Sequence, residues 1–134
     1  MNRIKKVEVV AGVIFHENQI LCVQRPHNKD SYISEKFKFP GGEIEEGETQ
    51  KEALARELLE ELRISTNIKS LFLTVVHSYP DFELTMHGFL CEVKTKELFL
   101  NEHIALEWLN KKELEKLDWA AADIPIVNKL MTNG

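Results

Sequence analysis

Three glutamates near the middle of the chain, Glu57, Glu60 and Glu61, have the residue type and spacing to bind a divalent cation. On a helix, positions i, i+3 and i+4 lie on one face, so the three side chains would emerge together. Like charges at this spacing cost about 0.2–0.5 kcal/mol per pair, and a bound cation would turn that repulsion into ligation. Carboxylate oxygens suit hard ions, which makes Mg²⁺ the candidate cofactor and Mn²⁺ a substitute for it. The alternative is a solvated acidic helix face without a metal.

The segment around these glutamates carries the signals of one helix. Thr49 and Glu52 form a T-x-x-E capping box, in which each side chain satisfies a backbone N–H at the start of the helix. Apolar residues follow at helical spacing and form a predicted buried stripe of Ala55, Leu58, Leu59 and Leu62. The pattern therefore predicts a helix over residues 50–62.

The acidity of the chain is concentrated in the same segment. The 134 residues include 17 Lys and Arg and 22 Asp and Glu, which gives a formal net charge of −5. Residues 43–61 hold eight glutamates against Lys51 and Arg56, a local balance of −6 that leaves +1 for the rest of the chain. The net negative charge argues against nucleic acid as a partner, because its phosphate backbone would be repelled.

Residues 42–64 resemble the Nudix box, G-x5-E-x7-R-E-U-x-E-E-x-G-U, in which U is an aliphatic residue. They match at every fixed position but one, since Arg63 stands where the box has its second glycine. Glycine at that point usually provides a left-handed helix cap, so we expect Arg63 to strain or reshape the turn without removing a candidate ligand. The chain is thereby identified as a member of the Nudix hydrolase family.

The resemblance implies roles for the acidic residues. In Nudix hydrolases the glutamates that match Glu57, Glu60 and Glu61 hold divalent ions, and the one that matches Glu57 is often assigned as the base that deprotonates water. The metal lowers the pKa of bound water and neutralises phosphate charge. Glu102, on a predicted loop, stands where the family often brings a further acidic residue to the metals. The alternative for Glu102 is an exposed loop glutamate.

Two glycines and an ion pair are expected to position this acidic cluster. Gly41 and Gly42 allow a tight backbone turn that places carbonyl oxygens near the helix, which makes Gly41 a candidate metal ligand. Arg56 belongs to the candidate catalytic set because it could pair with Glu48 and brace the loop against the helix. The alternative for this pair is a surface salt bridge worth about 0–1 kcal/mol.

The resemblance extends along most of the chain to the MutT-like nucleoside triphosphate pyrophosphohydrolases, which act on 8-oxo-guanine nucleotides, CTP or modified dCTP. The segments that carry it, in the same order as in these enzymes, are Val23-Gln24-Arg25, Phe39-Pro40-Gly41-Gly42, Asn101-Glu102-His103 and Ala122-Asp123-Ile124-Pro125. It implies Mg²⁺-dependent hydrolysis of a (deoxy)nucleoside triphosphate at the β-phosphorus, which gives a monophosphate and pyrophosphate. Two alternatives stay open: a hydrolase of ADP-ribose or a dinucleoside polyphosphate, and a Nudix-fold nucleotide-binding module without turnover.

Asp123 is the candidate for recognising the base. In the 8-oxo-guanine enzymes that the chain resembles, an asparagine stands at this position. A carboxylate at neutral pH only accepts hydrogen bonds, so Asp123 would select a base that presents a donor, such as cytosine N4 or guanine N1 and N2. The alternative is that Asp123 caps the helix that begins near Pro125.

Four other residues are candidates for substrate binding. Arg25 could clamp a phosphate with two hydrogen bonds, or it could lie solvated at a strand end. Tyr79 and Leu84 match base-pocket positions of the MutT-like enzymes, but they would serve equally as sheet residues. Phe39 precedes the glycine pair, and its ring either contacts the base or packs in the core. Lys38 stands where the family more often has glutamate, which reverses the charge beside the phosphate region.

Periodicity along the chain predicts one α+β domain over residues 1–134. Alternating apolar residues predict a hairpin of two strands, over 7–15 and 20–24. A short strand is predicted over 37–39, where a proline and two glycines end it. Further strands are predicted over 68–77, 82–93 and 104–109, and helices over 111–117 and 124–131. Together with the resemblance, this order implies the Nudix fold, an α/β/α sandwich in which a mixed sheet lies between helices and the box forms a loop–helix–loop.

The remaining features concern the thiols and the compartment. Cys22 and Cys91 lie in apolar runs outside any C-x-x-C pair, so we expect buried free thiols. The N-terminal residues lack the pattern of a signal peptide, and the longest apolar run, over 9–15, is too short to span a bilayer. We therefore expect a cytoplasmic protein, a monomer or homodimer, that binds a small-molecule nucleotide and neither nucleic acid nor a membrane.

Overall fold

The centre of the sheet is a hairpin of two buried strands. In the computed structural model, which describes residues 4–132, β1 (Lys5–His16) and β2 (Gln19–Gln24) run antiparallel with Phe15 opposite Ile20. The middle of β1 is buried on both faces, because a helical layer covers each side of the sheet. The predicted hairpin is confirmed. Residues 1–3, in the segment that lacks a signal-peptide pattern, and residues 133–134 of the predicted domain lie outside the described residues.

The short strand ends before Pro40, as predicted, but the glycine pair, expected only to end that strand, begins a strand of its own. β3 (Phe37–Lys38) pairs with β2, and the chain continues into β4 (Gly41–Glu43), which pairs with β1. A Cβ atom on Gly41 would lie only 1.9 Å from the carbonyl oxygen of Val10. The lack of a side chain at Gly41 therefore lets this segment approach β1.

The remaining strands begin and end within one residue of the predicted bounds. They are β5 (Asn67–Ser78), β6 (Phe82–Glu92) and β7 (Ala105–Leu109). β6 runs parallel to β1 and antiparallel to β5, so the sheet is mixed, as predicted. The strand order is β3–β2–β1–β6–β5, with β4 also paired to β1 and β7 also paired to β2.

The acidic helix, α1 (Gln50–Leu62), has the predicted bounds and the predicted capping box. Thr49 Oγ1 accepts from the Glu52 N–H at 3.1 Å, and Glu52 Oε1 accepts from the Thr49 N–H at 2.9 Å. These two bonds satisfy backbone donors that the helix itself leaves unpaired, and they fix where α1 begins.

The predicted apolar stripe of α1 is only partly correct. Leu58 and Leu62 are fully buried, but Ala55 and Leu59 are exposed. The buried row runs through Leu54, Leu58 and Leu62, because residues four apart lie along the ridge of a helix that packs against the sheet. With this row buried, the acidic face of α1 stays open on one side.

Helices cover both faces of the sheet, which confirms the α/β/α sandwich. On one face, α1 shares a core with Val10 and Ile14 of β1. On the other face, α2 (Ile124–Thr132) shares a core with Val13 of β1. The predicted helix over 111–117 is a 3₁₀ helix, Lys111–Lys116, whose cap residue Asn110 accepts from Glu113 N–H.

Both cysteines are buried and free, as predicted. Between residues 4 and 132, no helix combines the length and the apolar character that crossing a membrane requires.

Arg63 ends α1 in the left-handed conformation that glycine takes in the Nudix box. Its φ is 55° and its ψ is 38°, and its N–H donates to Leu59 O at 3.0 Å. The guanidinium lies 5.7 Å from the centre of the Phe99 ring. Of the two expected effects, the turn is therefore not reshaped, and Arg63 adopts a strained backbone conformation.

Arg63→Gly should stabilise the protein even though it removes a side-chain contact. Relief of a left-handed non-glycine residue is worth about 1–2 kcal/mol, and loss of an exposed cation–π contact costs about 0.5–1 kcal/mol. We expect a net gain of about 0.5–1 kcal/mol in the free energy of unfolding, measured by urea denaturation. Arg63→Ala is the matched control, because it removes the contact, keeps the strain and should destabilise. A less stable Arg63→Gly protein would show that the Phe99 contact outweighs the strain.

Candidate active site

A cleft of about 660 Å³ brings together residues that are distant in the chain. One part of it, which we call the acidic end, contains the five predicted metal-binding residues: Gly41, Glu57, Glu60, Glu61 and Glu102. The five predicted substrate-binding residues line the same cleft: Arg25, Phe39, Tyr79, Leu84 and Asp123. Arg56, predicted as catalytic, is not among the described lining residues, but it forms ion pairs with Glu57 and Glu60 of the acidic end.

Arg56 is the centre of a hydrogen-bond network that links the loop over 43–48 to α1. Its Nε and Nη2 donate to the two carboxylate oxygens of Glu48 at 2.6 and 2.9 Å, and Nη2 also donates to Glu43 O at 3.0 Å. Nη1 donates to Glu57 Oε1 at 2.9 Å and to Glu60 Oε2 at 3.4 Å. The Arg56 and Glu48 side chains are only 22% and 18% exposed, so the predicted pair is confirmed and is not a solvated surface bridge.

The hydrogen bonds from Arg56 change the acidity of its partner. They are the main cause that lowers the pKa of Glu48 to about 2, with a further contribution from the Glu45 N–H. Glu48 is therefore ionised at neutral and at mildly acidic pH, which keeps its hydrogen bonds between the loop and α1.

Gly42 makes room for the carboxylate of Glu57. A Cβ atom built on Gly42 would lie 2.4 Å from Glu57 Cδ and 2.4 Å from Glu57 Oε2. The Glu57 side chain is 15% exposed, because it lies between the glycine and the guanidinium of Arg56. Its position is thus fixed from two sides, by a missing side chain and by a hydrogen bond.

Glu61 is half-buried without a countercharge in contact among the described residues. Its Oε2 has no hydrogen-bond partner among residues 4–132. Burial is the main cause that raises the pKa of Glu61 to about 7; Lys38 opposes the rise, and the carboxylates of Glu57 and Glu102 add to it. His103 Nε2 lies 3.9 Å from this oxygen, but burial and the two nearby cations lower the pKa of His103 to about 4, so the ring is neutral at pH 7.

The donor chemistry of the acidic end fits a hard divalent cation. Glu57, Glu60, Glu61 and the Gly41 carbonyl offer only oxygen, and the unpartnered Glu61 Oε2 is a free acceptor. A cation there would ionise Glu61 and release its proton. In the described part of the chain no three His, Cys, Asp or Glu side chains already converge as a metal site, and Arg56 draws Glu57 and Glu60 toward itself.

Asp123 ties the start of α2 to the strand that precedes the glycines. It is 5% exposed, and its Oδ1 accepts from the Phe39 N–H at 3.0 Å. Burial raises the pKa of Asp123 to about 6, while the Phe39 N–H, Lys38 and Arg25 lower it. Asp123 ends a 3₁₀ turn before α2, and within the described residues its carboxylate makes no hydrogen bond to the α2 backbone, so the helix-cap alternative is wrong.

The wall next to Asp123 is partly aromatic. The Tyr79 hydroxyl accepts from the Ala122 N–H at 3.0 Å. The Phe39 ring is fully buried, 4.7 Å from the ring of Trp119, so the core alternative describes the ring and the backbone N–H provides the link to the site. Leu84 is half-buried on β6. As residues that contact the base, Tyr79, Phe39 and Leu84 stay predictions.

The sequence predicts no role for two residues that the structure places at the site, Lys38 and His103. Lys38 lines the cleft, and its pKa is lowered by burial and by Arg25 against the opposing effects of Glu61 and Asp123. His103 packs beside Glu61. The only signals were the charge reversal at Lys38 and the place of His103 after Glu102, and neither shows what these side chains face.

Comparisons with known proteins place the chain in a family. Residues 5–130 match the NUDIX domain family. The 8-oxo-dGTP diphosphatase of Escherichia coli strain K12 is 34% identical over 126 residues, which cover 94% of this chain and 97% of the relative. The CTP pyrophosphohydrolase of the same strain is 32% identical over 127 residues, which cover 95% and 93%. The solution structure of the E. coli ORF135 protein is 31% identical, with a TM-score of 0.81 and coverage of 96% of this chain and 91% of that one.

The chain therefore belongs to the Nudix domain family, and the predicted Nudix fold is confirmed. The predicted enzyme class, a hydrolase of the MutT-like kind, is confirmed by the same comparisons.

Gly42→Ala should inactivate the enzyme and leave it folded. The added Cβ occupies the position of the Glu57 carboxylate, and that flexible side chain can turn aside, so the change displaces the carboxylate more than it strains the fold. A displacement of about 1 Å at a catalytic group costs about 100-fold in rate, which we expect in kcat with a Tm close to that of the wild type.

Gly47→Ala is the matched control for that variant. Its φ of 86° strains an alanine, but no atom lies within 4 Å of the added Cβ, so only stability should fall. Full activity in Gly42→Ala would show that the position of the Glu57 carboxylate does not matter for turnover.

Proposed function

We propose that the protein hydrolyses a (deoxy)nucleoside triphosphate whose base presents a hydrogen-bond donor, such as a cytosine or a normal or oxidised guanine nucleotide. The products are the monophosphate and pyrophosphate, and the reaction depends on Mg²⁺. The observation that carries the proposal is one cleft with oxygen ligands at its acidic end and the buried acceptor Asp123 beyond them. Relatives named for 8-oxo-dGTP and for CTP, each about one third identical, support the same substrate class.

Glu57 is suited to act as the base at the acidic end. Its Oε1 accepts from Arg56, which holds the carboxylate in place while the other oxygen can take a proton from water. The water oxygen forms a bond to the β-phosphorus, and the bond from this phosphorus to the bridging oxygen breaks. That oxygen leaves with the monophosphate, and the β- and γ-phosphoryl groups leave as pyrophosphate.

Glu60, Glu61 and the Gly41 carbonyl complete the oxygen donors that would hold the metal beside Glu57. Bound there, Mg²⁺ supplies charge neutralisation for the phosphates and lowers the pKa of bound water. Glu102 adds a further carboxylate to the same end of the cleft. Its negative charge already acts on Glu61, which supports a shared role in cation binding.

Asp123 is suited to select the base. One of its oxygens accepts from Phe39 N–H, and a carboxylate has acceptor sites left for a second donor. Cytosine N4 and guanine N1 and N2 offer such a donor, whereas the single donor of thymine or uracil, N3–H, lies between two oxygens that would face the same carboxylate as acceptors. A buried Asp123 would therefore favour the first group.

Hydrolysis in the presence of Mg²⁺, followed by chromatography of the nucleotide products together with released pyrophosphate, should be well above background for at least one triphosphate in a panel of seven nucleotides. The panel contains dCTP, 5-methyl-dCTP, CTP, dGTP, 8-oxo-dGTP, ADP-ribose and diadenosine tetraphosphate. Glu57→Gln should lower kcat by at least about 100-fold, because the base is lost, and EDTA should abolish turnover. Glu46→Gln, the same change at an exposed glutamate outside the cleft, should act like the wild type.

Turnover of only ADP-ribose or the dinucleotide would replace the proposed substrate by that class. Hydrolysis of none of the seven nucleotides would indicate a nucleotide-binding module without turnover. Unchanged rates in Glu57→Gln would contradict the assignment of Glu57 as the base.

Asp123→Asn should lower kcat/KM for the preferred triphosphate by about 10–100-fold and affect dTTP less. The amide oxygen can still accept from Phe39 N–H, so the variant removes the charge and one acceptor while keeping the structural contact. Asp118→Asn, at an exposed aspartate paired with Lys36, is the matched control. An equal loss for every base would show that Asp123 only holds the backbone of Phe39.

A further inference from the structure

The charges that line the cleft are unevenly distributed. Seven of its described lining residues carry carboxylates: Glu43, Glu45, Glu57, Glu60, Glu61, Glu102 and Asp123. Against them stand two cations among the described lining residues, Arg25 and Lys38. A substrate that carries several negative charges must meet these two cations or be repelled by the rest of the wall.

Strand pairing explains why Lys38 faces the cleft. Lys38 of β3 lies opposite Val23 of β2, and Val23 is buried in the core on the α1 side of the sheet. Directly opposite residues of paired strands point to the same face, so Lys38 also points to the side that carries the acidic end. Arg25 follows β2 directly, and its N–H donates to Lys36 O at 3.0 Å.

Neither cation is in contact with a carboxylate of the described residues. Within residues 4–132, the side chains of Arg25 and Lys38 take part in no salt bridge or hydrogen bond, and Arg25 Nε is buried without a partner. By contrast, Lys36, two residues from Lys38, pairs with Asp118 at 2.9 Å. Two half-buried cations that act on each other, and that feel the nearby carboxylates only at a distance, form a site for an anion that can contact them directly.

The position of this pair identifies which anion it meets. Lys38 interacts electrostatically with Glu61 at the acidic end and with Asp123 at the other end. On the proposed function, the reacting phosphates lie at the acidic end and the base lies at Asp123. The phosphoryl group that joins them is the one attached to the nucleoside, and it must cross the space next to Lys38 and Arg25.

We propose that Lys38 and Arg25 form an anion site for the phosphoryl group attached to the nucleoside, and that this site binds a nucleoside monophosphate without any divalent cation. The identity of the ligand as a nucleotide rests on the proposed function. Lys38 is the specific element of this chain, because the resembled enzymes more often have glutamate there. The phosphoryl group of the monophosphate product is thus retained by protein charge alone.

Titration calorimetry in EDTA tests the proposal on the full chain. Two pairs of probes, CMP with cytidine and dGMP with deoxyguanosine, give for each base the ratio of the nucleoside Kd to the monophosphate Kd. Because the base is common to both members of a pair, this ratio isolates the phosphoryl group. We expect a ratio above about tenfold in the wild type for at least one pair.

The variants separate Lys38 from its surroundings. Lys38→Met should reduce the ratio by about tenfold, Lys38→Glu should abolish the gain, and Lys38→Arg should retain it because the charge is kept. Lys36→Met is the matched control, since it removes a neighbouring lysine outside the cleft, and it should leave the ratio unchanged. Thermal unfolding of each variant confirms that the fold is intact.

Three outcomes would overturn the proposal. They are no measurable binding of any monophosphate in EDTA, an unchanged ratio in Lys38→Met, and equal weakening of nucleoside and monophosphate, which would place Lys38 on the base. The test needs no turnover, so its failure is distinct from failure of the proposed function. Active hydrolysis with no phosphoryl gain would reject only the anion site.

Discussion

The bidentate contact between Arg56 and Glu48 is the interaction on which the rest of the site depends. One planar cation fixes the loop over 43–48 and, through a third N–H group, positions Glu57 on α1. Lysine could not replace it, because a point charge lacks the fork that holds several oxygens in one plane. The segment over 43–61 carries eight glutamates, and Arg56 supplies the countercharge that lets part of them approach each other.

Glu61 shows where stability and function oppose each other. Its pKa of about 7 lies above the ordinary value of 4.5, so between these two pH values the folded chain binds a proton that the unfolded chain releases. The contribution of Glu61 to stability is therefore favourable at low pH and is lost as pH rises through this window. Burial is the main cause, and the nearby carboxylates of Glu57 and Glu102 add to it. A bound cation removes the penalty, which means that the same residue weakens the empty fold and strengthens the loaded one.

Short-range sequence patterns predicted the helices and strands that carry the site. They could not predict contacts between residues that are far apart in the chain. The capping box of Thr49 and Glu52 set the start of α1 correctly, since both partners lie within one helical turn. The contact between Phe39 N–H and Asp123 spans 84 residues, and no periodicity encodes it. Ala55 was misplaced because helical spacing alone does not show which of two adjacent ridges meets the sheet. The family resemblance predicted many of the residues that line the cleft. It could not predict that Lys38 makes no ion pair with any described residue or that His103 is buried, because both depend on packing.

The cleft alternates in charge along its length, and this order has a physical reason. The carboxylates of the acidic end and Asp123 are separated by two cations, which lower the pKa of Asp123 against the effect of its burial. Without these cations, two acidic groups would face one another across a half-buried space, and Asp123 would take up a proton and lose its value as an acceptor. Along the cleft, the order of side chains is carboxylates, then two cations, then a carboxylate. A metal-bound nucleotide with an amino-bearing base presents the complementary order: a metal cation, then phosphate, then a hydrogen-bond donor. Arg25 and Lys38 thus serve two purposes, because the positive charge that meets a phosphate also keeps Asp123 ionised.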